Sequence, residues 1–358
     1  MIFVRTTLRE FTAAGIAVFL VLLVITFTWQ LIKLHGTAAG GTIPTDAVLV
    51  LLGFAVLVYL SVLLSLTLFL SVLMSITRAY RDSEMVVWQS SGLGLNSWFI
   101  PVLIYAAPII ILVTVLSFNL TPWAIGKIEQ YKHQLENRDD VSAVAPGVFK
   151  ESKNGERVFF VEKVSTDLRQ VANIFVHSTQ DQRQGVMVAN RGFSELKDNG
   201  DRYLVLVAGR RYEGTPGQAD YKIMNFERYS FRIEQKEMTA FMPSQKSLST
   251  RQLIDHPTPL NLSELTWRVG LPVSALILAF LAIPLSAVNP RTGRFLNVLV
   301  AVFLYMVYSN LISIFQAWVA KGTLKPAIGM FGVHAIMVVL LSVLFYRRMF
   351  GLRLRWRT

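Results

Sequence analysis

Few residues in this chain have the type and spacing to do chemistry. Five histidines, His35, His133, His177, His256 and His334, are scattered along 358 residues. None belongs to HExxH or another compact metal-binding spacing. There is no cysteine, which removes thiolate metal sites, cysteine nucleophiles and disulfides. No Walker-type phosphate loop occurs. The glycines of GLGLNS (92–97) follow a helical pattern rather than a strand, so they read as helix stop signals. His334 lies in an apolar run, where an ionisable residue is a functional candidate by default, although a hydrogen-bonded packing histidine is the commoner case. No Ser/His/Asp set or carboxylate pair stands within the apolar runs.

What remains is charge at the edges of apolar segments. Glu264 and Arg268 sit four apart in the favourable order, with Ser263 as the expected N-cap and Trp267 as an interface anchor. This is either a local ion pair setting helix depth, or Arg268 joins Lys33, Lys321 and Lys325 in a basic rim for an anionic headgroup. The second polar feature is TRAYRDSEMVVWQSSGLGLNS, residues 77–97. Asp82 is the expected N-cap of a short helix over about 82–91, with Glu84 in its first turn and Gly92 past its end.

The elements that position these residues are spans. Hydrophobic residues make up 53% of the chain and charged residues only 16%, with a mean hydropathy of +0.46. A soluble domain carries about 25% charged residues. Crossing a bilayer takes about 20 apolar residues. Six runs qualify: 11–32, 47–76, 99–120, 267–288, 295–319 and 327–346. The first is preceded by Arg5 and Arg9, lacks a small-residue cleavage site and reads as an uncleaved span. Along the second, Ser61/Ser65 and Ser71/Ser75 allow close helix packing. Pro272 and Pro284 predict a bent fourth span.

Orientation follows from Lys and Arg at span ends. Eleven arginines (5, 9, 78, 81, 291, 294, 347, 348, 353, 355 and 357) fall on one side, against Lys33, Lys321 and Lys325 on the other. Both termini and residues 77–97 are therefore expected in the cytoplasm. Residues 121–262 hold 20 Lys/Arg against 18 Asp/Glu, and the remainder 15 against 5, out of totals of 35 and 23. The net charge of +12 thus belongs mainly to the membrane part, and topology and anionic lipid account for it without nucleic acid.

Within the insert, an amphipathic extension of the third span comes first. Segments such as ERVFFVEKVS, QVANIFVHST and DRYLVLVAGRRYEG then alternate with turn-like KDNGD and TPGQ. These predict an antiparallel β domain. It either holds something apolar, augments another sheet at its edge, or is a solvated spacer.

Several stretches together resemble the lipopolysaccharide export permeases LptF and LptG over nearly the whole chain. They are RDSEM (81–85), SSGL (90–93), ELTWR (264–268) and IPLSAVNPRTGR (283–294). IPTDAVLVLLG (43–53) and the short Arg-containing N-terminus lean towards the LptF branch. The resemblance implies a non-catalytic permease subunit with six spans in a Gram-negative inner membrane and a jellyroll-like periplasmic insert. Its domains would be 1–120, 121–262 and 263–358. It implies no cofactor of its own, ATP being used by a partner. It implies that the helix carrying Arg81, Asp82, Glu84, Met85 and Trp88 docks on an LptB-type ATPase dimer. An LptG paralogue and a single-span LptC partner are also implied, with Lys33, Arg268, Lys321 and Lys325 meeting lipid phosphates. The competing readings are a permease for another lipid or lipoprotein, a non-transporting scaffold, and an intramembrane transferase, which lacks a catalytic cluster.

Overall fold

Each apolar run becomes a helix longer than the run itself. The computed structural model describes residues 2–40, 43–45, 47–136, 147–151, 157–164, 170–180, 183–196, 202–215, 220–232, 242–287 and 294–350. Among these, six helices are long and apolar enough to cross a membrane. The first, α1 (Ile2–Ala39), runs 38 residues and α2 (Ala47–Arg81) 35. At 1.5 Å per residue α1 is about 57 Å long, well beyond a hydrocarbon core of about 30 Å. The excess is polar at both ends, where Thr, Arg, Glu, Lys and Gln continue the helix at small cost in propensity. A seven-residue helix, α3 (Glu84–Ser90), and a 3₁₀ turn (Leu95–Trp98) lead into α4 (Phe99–Val115). A π turn, Leu116–Leu120, joins α4 to α5 (Thr121–Glu136), so the third span extends into the expected amphipathic helix. After the insert come α6 (Thr250–Asp255), α7 (Pro259–Ser286), α8 (Arg294–Ala320) and α9 (Pro326–Met349).

The chain divides into two compact units. The first comprises Met1–Gly36, Asp46–Glu129 and Pro243–Thr358. Its central element is α7, mostly buried and packed against α2, α4, α8 and α9. Close packing there rests on small residues. Ser61, Ser65, Ser71 and Ser75 of α2 are all buried, as are Gly270, Ser274, Ala275, Ala279 and Ala282 of α7. Both internal prolines of α7 lie in this central helix, not in a peripheral one. α1 is the least buried of the six.

The second unit comprises Thr37–Thr45 and Gln130–Met242. Its strands are β1 (Lys150–Glu151), β2 (Arg157–Val164), β3 (Gln170–Gln180), β4 (Arg183–Leu196), β5 (Arg202–Gly214) and β6 (Lys222–Arg232). They form one antiparallel sheet in sequential order, β1 to β6. The insert is the expected antiparallel β structure, and its described strands pair as a meander without the crossover of a Greek key. The links between β2 and β6 are short enough for hairpins, whereas a crossover needs a long connection.

A crease crosses this sheet. Val161 pairs with Ile174 and Lys163 with Ala172, but the intervening Glu162 and Asn173 do not pair. The same gap recurs at Asn190 and Ala208, and the register is unchanged on either side. Asn173 and Ala208 both have a left-handed φ of 54°. For alanine that conformation is uncommon and costs about 1–2 kcal/mol. Its consequence is visible in the core. Val171 and Ile174, three residues apart on one strand, both enter the cluster with Val161, Val176, Met187, Ala189, Leu204 and Leu206. A continuous strand alternates faces with a period of two, so this odd step requires the crease.

Candidate functional site

The polar segment after α2 folds as two opposed caps around about two turns of helix. Arg81 ends α2, and Ser83, at φ 61°, turns the chain into α3 as a left-handed N-cap without a side-chain hydrogen bond. Asp82, expected as the cap, instead accepts from Arg78 Nη1 at 3.3 Å and Arg81 Nε at 3.3 Å. Two cations in the last turn of α2 capture its carboxylate, and Ser83 takes the cap position. The other end follows expectation. Gly92, at φ 85°, donates to Gln89 O, and Leu93 N donates to Trp88 O, which is a Schellman stop.

The rotation of α3 decides which residues a partner can reach. Met85 is buried in the main core at 3% exposure, and Trp88 packs against that core. Both were expected to contact an ATPase. Within the chain both side chains face inward and anchor the helix, Met85 buried in the core and Trp88 half-buried against it. The outward face presents Val86 and Val87, about two-thirds exposed, with Arg81 and Asp82 also exposed. Glu84 is half-buried, and both its oxygens accept from Arg78, at 3.0 and 3.3 Å. Arg78 also donates to Glu10 of α1 at 2.5 Å. Sequence reasoning placed Arg78 only as a topology marker. Its spacing of four from Asp82 was the available signal of a side-chain role.

At the opposite end of the spans, Glu264 and Arg268 form the expected pair, Nε to Oε1 at 3.0 Å. The surroundings differ from expectation. Arg268 is 1% exposed and Glu264 6%. Arg268 Nη1 donates to Thr250 Oγ1 at 3.0 Å. Its Nη2 donates to the carbonyls of Leu248 and Lys246 at 2.9 and 3.1 Å, with Gln245 O at 3.5 Å. A guanidinium so occupied has no face left for a phosphate. Arg268 therefore leaves the proposed lipid rim and instead ties α7 to the chain returning from the insert. Around it, Thr250 Oγ1 donates to Phe118 O and Ser117 Oγ to Arg268 O, both from the π turn. Glu129 of α5 accepts from Ser244 Oγ at 2.5 Å.

Two local expectations change here as well. Ser263 is not an N-cap: α7 starts earlier, at Pro259, capped by Thr258, whose side chain accepts from Asn261 N. Thr before Pro at N1 is the stronger start signal. Sequence reasoning also missed α6, although its signal, STRQ (249–252), is a capping box and is formed as one.

The remaining rim candidates are open. Lys33 is exposed on α1, and Lys321 and Lys325 are exposed on either side of the α8–α9 turn. Alternation of six spans puts the end of α1 and this turn on one side of the bilayer, as the end of α2, α3 and the end of α9 share the other. His334 is buried, and its Nδ1 shares a 2.6 Å hydrogen bond with Tyr308 Oη, beside Gly270. That is a packing role. Among the described residues, no group of three His, Asp or Glu could hold a metal ion.

Fold and site define a polytopic helical membrane protein with an inserted β sheet. A short docked helix lies at one membrane face, and the re-entry point of the insert is clamped at the other. The family described as lipopolysaccharide export system permease LptF/LptG matches residues 5–347. The chain belongs to that family. It is 31% identical over 351 residues to the lipopolysaccharide export system permease protein LptF of Escherichia coli (strain K12), covering 96% of this chain and 94% of that protein. The same protein of Shigella flexneri matches with the same identity and coverage. Membership makes this an inner-membrane, multi-pass permease subunit that works with other Lpt components.

Proposed function

We propose that the chain is the LptF-type permease subunit of an ABC exporter that extracts lipopolysaccharide from the outer leaflet of the inner membrane. It passes the lipid upward to its own β sheet for transfer to the outer membrane. An LptB-type ATPase dimer, an LptG-type paralogue and a single-span LptC-type protein complete the assembly. The observation that carries this reading is α3: a capped helix at the inner end of two spans, anchored by Met85 and Trp88, with Val86, Val87 and one edge of Glu84 turned outward. A sequence with no Walker-type phosphate loop, yet with such a handle, fits a permease that takes its energy from a separate motor.

The direct test is capture of the substrate. Photo-crosslinkers at inward positions of β5, Leu204 and Leu206, are expected to capture lipopolysaccharide only when ATP is supplied to the full complex. Adducts that form equally without ATP would remove the transport reading. The sidedness of the insert is tested separately. Both termini and α3 are assigned to the cytoplasm and residues 121–262 to the periplasm. A cysteine-free chain makes single-cysteine labelling clean. A cysteine in place of exposed Tyr221 is expected to react from outside intact cells, and one in place of exposed Ser90 only after permeabilisation.

Lys33, Lys321 and Lys325 are assigned to the lipid phosphates. Exposed ammonium groups attract phosphate through charge that is screened over a Debye length of about 8 Å at physiological salt. Replacing all three with Gln is expected to weaken lipopolysaccharide binding several-fold and flatten its salt dependence, with assembly unchanged. Binding that stays the same would return them to topology markers.

A further inference from the structure

One guanidinium joins three helix ends. Arg78, in the last turn of α2, reaches Glu10 on α1 at 2.5 Å and both oxygens of Glu84 on α3 at 3.0 and 3.3 Å. Asp82 accepts from the same Nη1 at 3.3 Å. Each pair is about one-third exposed, with side-chain exposures of 36% for Arg78, 34% for Glu10 and 41% for Glu84. Such pairs add little stability singly. What the planar fork adds is geometry, because it holds two carboxylates from two different helices in fixed directions. A lysine, as a point charge on a flexible stem, would not.

An aromatic contact runs parallel to this bridge. Phe3 of α1 meets Trp88 of α3 and Trp98 of the following turn edge-on, each with ring centroids 5.0 Å apart. About two turns further along α1, Phe11 packs on Tyr105 of α4 at 5.4 Å. The inner end of α1 is thus held by α3 and its flanks, while α1 as a whole is the least buried span. A peripheral helix gripped at one end follows the element that grips it.

We propose that Arg78 is a positioning residue that passes displacement of α3 to α1, so that the first span moves with the ATPase. This rests on the reading of α3 as the ATPase docking helix and deepens it. Trp88 and Met85 fix α3 to the body, Arg78 and Phe3 fix α1 to α3, and the exposed apolar remainder of α1 is free to shift against its neighbours. Glu84 is then held from two sides, by Arg78 within the chain and by a cation on the motor.

The test uses the complete complex with ATPase, paralogue and lipopolysaccharide. Glu10→Gln is nearly isosteric and removes the negative charge, and with it the ion pair, from the α1 side of the bridge. It is expected to keep ATPase occupancy and basal hydrolysis while lowering lipopolysaccharide released per ATP at least fivefold. A spin label on a cysteine replacing exposed Ile25, in mid-α1, is expected to change mobility on vanadate trapping. Glu10→Gln should abolish that response, and Arg78→Lys should give an intermediate one. Adding Phe3→Ala to Glu10→Gln should deepen the loss of coupling. Wild-type release and label response in Glu10→Gln would overturn the relay, as would lost release with an unchanged label response. Lost ATPase occupancy in Glu10→Gln would also overturn it, since the bridge would then serve docking. Docking itself is read independently from Val87→Asp: full ATPase occupancy there would remove the docking reading and with it the relay that rests on it, whereas the Glu10→Gln outcomes test the relay alone.

Discussion

Replacing Arg268 with alanine is expected to keep the permease from accumulating in a stable form. The side chain is 1% exposed, and its partner Glu264 is 6% exposed. Truncation leaves that carboxylate buried without its cation, a loss of about 3–5 kcal/mol. It also strips donors from the carbonyls of Lys246 and Leu248 and from Thr250. Each buried acceptor left bare adds about 1–3 kcal/mol where water cannot enter. Whole-protein stability is about 5–15 kcal/mol, so the sum is a large part of it. The measurement is the unfolding midpoint and yield of the detergent-solubilised complex. Arg268→Met with Glu264→Leu is expected to recover part of the loss, because a matched apolar pair of similar volume replaces the buried ions. The carbonyls of the return segment would still lack donors, so recovery should stop short of the parent. An Arg268→Ala protein with a wild-type midpoint and weakened lipopolysaccharide binding would put Arg268 back on the substrate surface.

Glu84→Ala is the second large effect. Two roles for this carboxylate predict different magnitudes. As a partner of Arg78 alone it belongs to a half-exposed ion pair, worth about 0–1 kcal/mol. Arg78 would still have Glu10 and Asp82, so truncation would be nearly silent. As a partner of a cation in an ATPase groove, desolvated by docking, its loss leaves that cation unpaired. Truncating one member of such a pair costs about 2–5 kcal/mol, about thirty-fold or more in affinity. On the docking reading, Glu84→Ala should release the ATPase or uncouple hydrolysis from extraction while the membrane subunits still assemble. Glu84→Arg should do worse, since it also repels Arg78. An acidic residue at the facing ATPase position should then restore part of the activity. Full occupancy and full extraction by Glu84→Ala would leave α3 as a passive interfacial helix.

Much of this architecture is local and therefore legible. A run of about 20 apolar residues has one stable solution in a bilayer, a helix that satisfies its own backbone. The six spans follow from that, as does the continuation of the third span into α5. Period-two alternation between turn residues announces strands, and short links between them leave only hairpins. Gly92 past the end of α3 is a stop signal because only a residue tolerant of positive φ fits there. The i,i+4 spacing of Glu264 and Arg268 predicts their pairing, since one helix brings them together whatever surrounds it.

What tertiary structure decided is where those local units point and what meets them. Arg268 looked like a rim cation. It is a buried clamp because residues 245–250, about twenty positions upstream, fold back and offer it carbonyls. Met85 and Trp88 share a segment with Val86 and Val87, and a seven-residue helix has too little pattern to say which pair faces in. The left-handed turn at Ser83 and the core beneath it choose. The crease through Glu162, Asn173, Asn190, Ala208 and Glu227 is a row made by five strands, so no single segment contains it. Arg78 is the same case in charge. Glu10 lies 68 residues away in sequence, and only the packing of α1 beside α2 and α3 turns a topology-setting arginine into a junction. Composition and periodicity determine which elements form, because those forces act within a few residues. Burial, donor count and which charge meets which are set by contacts between distant segments, and these exist only once the chain is folded.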